Sequence, residues 1–93
     1  MTKLDGVAAV LDFLAGLQPK HAAQVAKKAL ALGKEPLPHD SQGLAGYPDL
    51  RRGDVGEYRI VYRHRADADV VEILLVAKRN DDEVYQRLKR LLR

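Results

Sequence analysis

This sequence predicts an α+β domain: a helical hairpin, then an antiparallel sheet of three or more strands, then a closing helix. Three observations carry that prediction. Up to about residue 33, apolar residues recur at three- and four-residue steps, the spacing of helices that bury one face. From about residue 50 the apolar period falls to two, the spacing of strands. The longer period returns over about residues 81–92. Helices and strands lie in separate blocks, so hairpin-linked strands are favoured over an interleaved parallel sheet.

The elements follow in order. Leu4, Val7, Val10, Leu11, Leu14 and Leu17 mark a helix over about residues 3–17. Gly16 weakens its end, and Pro19 suits the first turn of a second helix, where its missing N–H is not needed. Ala22, Val25, Ala26, Ala29 and Leu30 form the second apolar stripe. Lys20, Gln24, Lys27 and Lys28 face outward, and Gly33 is the expected C-cap. The stretch "KEPLPHDSQGLAGYPD" (34–49) holds three of the four prolines and reads as a loop, with Leu44 pinned to the core. A short strand over Leu50–Asp54 turns at Val55-Gly56. In "EYRIVYRHR", Tyr58, Ile60 and Tyr62 share one face, and Glu57, Arg59, Val61 and Arg63 the other. "RADAD" is a hairpin turn, and "DVVEILLVAKR" is a second, more apolar strand. Val84, Leu88, Leu91 and Leu92 define the last helix, with Asn80 or Asp81 as N-cap and Asp82 and Glu83 at the positive end of its dipole.

Length and composition narrow the classes. Ninety-three residues make one domain, 1–93. No apolar run approaches the roughly 18 residues of a membrane helix, so no membrane partner is expected. The sequence as given opens on no signal-like segment. It has no cysteine, which excludes disulfides and thiolate metal sites. The expected location is the cytoplasm. His21, His39 and His64 have no metal-ligand spacing, and neither metal nor cofactor is expected.

Charge is unevenly distributed. Residues 1–50 are neutral overall, whereas all nine arginines lie from Arg51 onward, within a net charge of +3. An arginine-biased half points to a polyanionic partner, either nucleic acid or an acidic protein.

The ordered pieces "GLAGYPDLRR", "GEYRIVYR" and "VAKRNDDEVY", behind a two-helix hairpin, resemble the RelE/ParE superfamily of bacterial type II toxins. The resemblance runs from about Val10 to the C-terminal helix. It implies a microbial-RNase-type fold and a cognate antitoxin whose acidic segment wraps the toxin. For RelE-like members it implies ribosome-dependent cleavage of mRNA through the RNA's own 2′-OH. ParE-like members instead inhibit gyrase without catalysis, and an inactive antitoxin-binding relative is a third reading. The RelE pattern gives catalytic roles to Arg59, Arg79 and Tyr85. Lys78, Arg51, Arg52 and Arg63 then become candidate RNA-phosphate contacts. Two departures accompany the resemblance. The family's first β-strand has no expected counterpart, because "MTKL" is too short. Lysines of the first strand of the C-terminal sheet are replaced by Arg51-Arg52-Gly53-Asp54.

The chemistry explains why such residues matter. Cleavage must deprotonate the 2′-OH, neutralise charge on the phosphorane and protonate the departing 5′-oxygen. Fixed cations aimed at developing charge usually supply the largest single term. Guanidiniums remain charged and grip two oxygens at once. Tyr85 would accept or orient the 2′-OH proton, with nearby cations favouring its phenolate. Tyr58 or Tyr62 would be free to stack on a base.

Overall fold

The computed structural model describes residues 3–37 and 41–92. Its elements run β1 (Lys3–Asp5), α1 (Val7–Leu14), α2 (Pro19–Lys34), β2 (Gln42–Leu44), β3 (Tyr47–Val55), β4 (Tyr58–Arg65), β5 (Val70–Lys78) and α3 (Asp81–Leu91). One five-stranded sheet has the order β1-β5-β4-β3-β2. The α+β class is as predicted. The sheet is mixed, because β1 runs parallel to β5 while the other pairs are antiparallel.

The first strand exists, contrary to the sequence expectation. Lys3, Leu4 and Asp5 pair with Val70, Val71 and Glu72. Three residues suffice because β5 is already paired with β4 on its other side, and β1 covers the first part, Val70–Glu72, of what would otherwise be an open edge. Leu4, which the periodicity assigns to the helical stripe, instead packs beside the core from the strand. The change of direction occurs at Gly6, whose φ of +80° is left-handed. Helix α1 is therefore shorter than the predicted 3–17. Val10 is buried and Phe13, Leu14 and Leu17 pack against the core, whereas Val7 and Leu11 are exposed.

Helix α2 starts at Pro19, as the sequence predicts, but Gly33 does not cap it. The helix runs on to Lys34, with Gly33 inside it beside Leu4. Leu30 points to solvent and Leu32 takes the buried position with Val25 and Ala29. Lys28 is half-buried rather than solvated, its stem lying over Gly53. The predicted loop 34–49 also contains β2 and the start of β3, while His39 lies outside the described residues.

Two cores sandwich the sheet. Helices α1 and α2 cover one face, with Ile60, Tyr62, Val71 and Ile73 beneath them. Helix α3 covers the other, where Val84 and Leu88 meet Leu50, Val61, Leu75 and Ala77. Ile73 and Val76 serve the same face although three residues apart, which strict alternation forbids. A register shift resolves this: Val61 pairs with Leu75, but Tyr62 pairs with Ile73, leaving Leu74 as the extra residue of a bulge. Tyr58 and Tyr62 are core residues, not base-stacking platforms. Tyr58 meets Phe13 and His21 edge-on, and the Tyr62 hydroxyl donates to the Pro36 carbonyl at 2.6 Å.

Gly6 gives a direct test of this entry turn. A Cβ there would lie 2.1 Å from the Ile73 carbonyl oxygen. Gly46 has a similar φ of +82° but open space around it. Gly6→Ala is expected to cost at least about 3 kcal/mol by urea denaturation, and Gly46→Ala only about 1–2 kcal/mol, the cost of the backbone conformation alone.

Candidate active site

The site is built by one hairpin and one strand end. Gly56 and Glu57 form a two-residue turn, with Gly56 at φ +56°, which a hairpin of this length requires at its first turn position. This register sets Asp54 of β3 directly opposite Arg59 of β4. Arg59 lies opposite Ala77 of β5, so the end of β5 brings Lys78 and Arg79 alongside. The Arg79 N–H donates to the Glu57 carbonyl at 2.9 Å, tying the strand end to the turn.

Three guanidiniums converge on Asp54. Arg59 Nε donates to Oδ1 at 2.9 Å and Nη2 reaches Oδ2 at 3.4 Å. Arg52 Nη1 lies 3.1 Å from Oδ2, and Arg79 Nε lies 3.4 Å from it. Arg59 is nearly enclosed, with 9% of its side chain exposed, whereas Arg79 is 51% exposed. Partial burial is the largest influence on the Asp54 carboxyl and pushes its pKa up. The Arg59 hydrogen bond and the charges of Arg59, Arg79 and Arg52 together outweigh it, leaving the carboxyl below its ordinary value. Asp54 is thus the hub of the cluster. In the sequence it stands only as the last residue of Arg51-Arg52-Gly53-Asp54, the stretch that departs from the family's lysines. The turn expected at Val55-Gly56 lies one residue too early and would set Asp54 opposite Glu57; only the observed turn at Gly56-Glu57 sets it opposite Arg59.

Beside the hub is an open cavity of about 530 Å³, lined by Gly56, Glu57, Arg59, Lys78, Arg79 and Asn80. Arg59, Arg79 and Lys78 therefore share one hollow, and Arg52 joins them through Asp54. Glu57 and Asn80 were not singled out in the sequence for this hollow. Asn80 also caps α3, its Oδ1 accepting from the Glu83 N–H at 3.2 Å.

The other sequence candidates lie elsewhere. Arg51 points to the opposite face from Arg52, and its Nη2 donates to Ser41 Oγ at 2.8 Å. Arg63 pairs with Asp49 and Glu72 at 3.1 and 3.2 Å. Both line a separate cavity with Leu37, His64 and Arg65. Tyr85 is half-buried and does not line the guanidinium cavity. Its ring stacks on Tyr47, with centroids 6.0 Å apart. Tyr85 sits one helical turn into α3, about 6 Å of rise from the helix start.

A second groove, of about 630 Å³, lies between α1 and α3. Phe13, Leu17, Leu74, Leu75, Val76 and Leu91 form its apolar lining, with Asp12, Arg87 and Arg90 among its polar residues. Among the described residues, no group of three or more His, Asp or Glu side chains is placed to hold a metal ion. No helix among them is long and apolar enough to cross a membrane.

Residues 6–83 match the family model described as the ParE toxin of the type II toxin–antitoxin system parDE. No curated protein matches significantly. Among solved structures, the chain resembles an archaeal RelE–RelB complex from Pyrococcus horikoshii at 27% identity and TM-score 0.67, covering 85% of this chain and 93% of that one. It is similar to the RelBE2 toxin–antitoxin complex of Mycobacterium tuberculosis at 26% identity and TM-score 0.67, covering 85% and 96%. The isolated RelE toxin of E. coli matches at 25% identity and TM-score 0.68, with all of both chains covered.

The arginine cluster makes a pH prediction. A native pKa below the unfolded value stabilises the fold at higher pH, and that contribution is lost as pH falls through the native value. Asp54→Asn is therefore expected to cost about 1–2 kcal/mol at neutral pH, allowing for partial exposure. The gap from wild type should begin to close below about pH 4, as checked by urea melts across pH 2–7.

Proposed function

From the premise that this chain belongs to the family of the ParE toxin of type II toxin–antitoxin systems, we propose that it is a RelE-like, ribosome-dependent endoribonuclease. The toxin assignment within the RelE/ParE superfamily stands on the family match and the structural relatives. The nuclease reading rests chiefly on one observation: Arg59 of β4 and Arg79, just past the end of β5, reach one carboxylate at the edge of an open cavity that Lys78 also lines. A phosphodiester offers the same paired oxygens and a single negative charge, so this fork geometry suits it.

In this reading Arg59 and Arg79 grip the non-bridging oxygens of the scissile phosphate and neutralise the extra charge of the phosphorane. Lys78 and Arg52 add positive potential. Tyr85 takes or orients the 2′-OH proton from the first turn of α3, its ring steadied by Tyr47. The 2′-oxygen attacks phosphorus, the 5′-oxygen leaves and takes up a proton, and a 2′,3′-cyclic phosphate remains. Arg51 and Arg63, on their separate cavity, would contact flanking backbone or ribosomal RNA. The ribosome supplies the mRNA strand, and the reaction needs no cofactor. It takes place in the cytoplasm.

The partner is a cognate antitoxin. The RelE relatives solved with RelB support this. The apolar groove between α1 and α3 suits the buried face of an amphipathic antitoxin segment, and the arginine-rich sheet face suits its acidic residues.

A second reading, non-enzymatic gyrase inhibition, is favoured by the ParE family model and by Tyr85 lying outside the guanidinium cavity. Inducible expression with primer-extension mapping separates the two. The nuclease reading expects ribosome-dependent cuts. Arg79→Ala, at a half-exposed position, should lower cleavage about 10²–10³-fold and relieve growth arrest without unfolding the domain. Intact transcripts with inhibited supercoiling would overturn it in favour of gyrase.

A further inference from the structure

We propose that Asp54 is a built-in phosphate surrogate: it holds Arg52, Arg59 and Arg79 in a closed set that an incoming phosphate must open. This rests on the phosphate-handling reading of the same cavity.

The geometry carries the inference. Arg59 uses Nε and Nη2 on the two oxygens of Asp54, at 2.9 and 3.4 Å. That is the fork an arginine presents to a phosphodiester. Arg52 and Arg79 both approach Oδ2. One carboxylate thus engages three guanidiniums, and it cannot leave, because it is fixed on β3 opposite Arg59. An intramolecular anion competes at high effective concentration. A ligand binding only the open set has its affinity reduced by the open fraction. Among the described residues, the other charged side chains on the cavity are Lys78 and Glu57. Lys78 favours the ligand and Glu57 opposes it, so neither replaces the carboxylate as the competitor. The exposed Arg79 is the member best able to swing first from Asp54 to a ligand, and the enclosed Arg59 is the last to exchange its partner. Phosphate capture would therefore begin at Arg79 and finish at Arg59. The consequence is weak affinity for free RNA and dependence on a strand delivered in position.

Two measurements test this. Pyrophosphate and a fluorescent, non-cleavable 2′-deoxy hexanucleotide are titrated into wild type and Asp54→Asn. The proposal expects the variant to bind pyrophosphate about tenfold more tightly, with the gain cancelled when Arg59→Ala is added. The second measurement needs no variant. Saturating pyrophosphate should release Asp54 from its guanidiniums, so that its carboxyl, followed by NMR, titrates at higher pH than in the free protein. Equal or weaker binding by a folded Asp54→Asn would overturn the proposal and leave Asp54 as a positioning residue. An unmoved carboxyl titration in saturated wild type would overturn it too. Tighter pyrophosphate binding with no RNA cleavage in cells would keep the surrogate and remove the nuclease reading, so the two fail separately.

Discussion

The two-residue turn at Gly56-Glu57 sets the register of β3 against β4, and the site depends on that register. It pairs Val55 with Tyr58 and Asp54 with Arg59. A slip of one residue would send every side chain of the strand to the other face. Tyr58, Ile60 and Tyr62 would leave the core under α1 and α2, and Arg59 would enter it. The burial of those three residues therefore enforces the same register as the turn. The cation cluster inherits its precision from a hydrophobic constraint on the opposite side of the sheet.

Charge then organises the α3 face. Arg59 is almost enclosed, and an enclosed guanidinium needs a partner. Asp54 supplies it and recruits Arg52 and Arg79 as well. The cluster retains an excess of positive charge over its one central carboxylate, which is how a domain with a modest net charge of +3 concentrates positive potential at one cavity. Arg63, further along β4, has a different fate because Asp49 and Glu72 flank it. Two arginines on one strand face thus differ in what their cross-strand neighbours leave available.

Much of this was legible in the chain. The period of three to four residues located α2 and α3, and the period of two located β4 and β5. The α3 cap was narrowed to Asn80 or Asp81 by local side-chain chemistry, of which the fold uses Asn80, and the grouping of Lys78 and Arg79 followed from their place at a strand end. Other features were not legible for physical reasons. Strand β1 is three residues long and gains its pairing only from distant β5, so no local pattern announces it. Leu30 and Leu32 are equally apolar, and only the approach direction of the sheet decides which is buried. The β5 bulge at Leu74 answers to two cores at once, which a single strand cannot reveal.

By itself the sequence determined the α+β class, the hairpin-linked strands and the concentration of arginine beyond residue 50, because these rest on local periodicity and composition. Only the tertiary structure decided that Asp54 lies within the arginine set, that Arg51 and Arg63 belong to another cavity, and that Tyr85 stacks on Tyr47. Each of those outcomes depends on which side chains meet across strands or between helix and sheet. Such meetings are set by register and packing rather than by any residue's own preference.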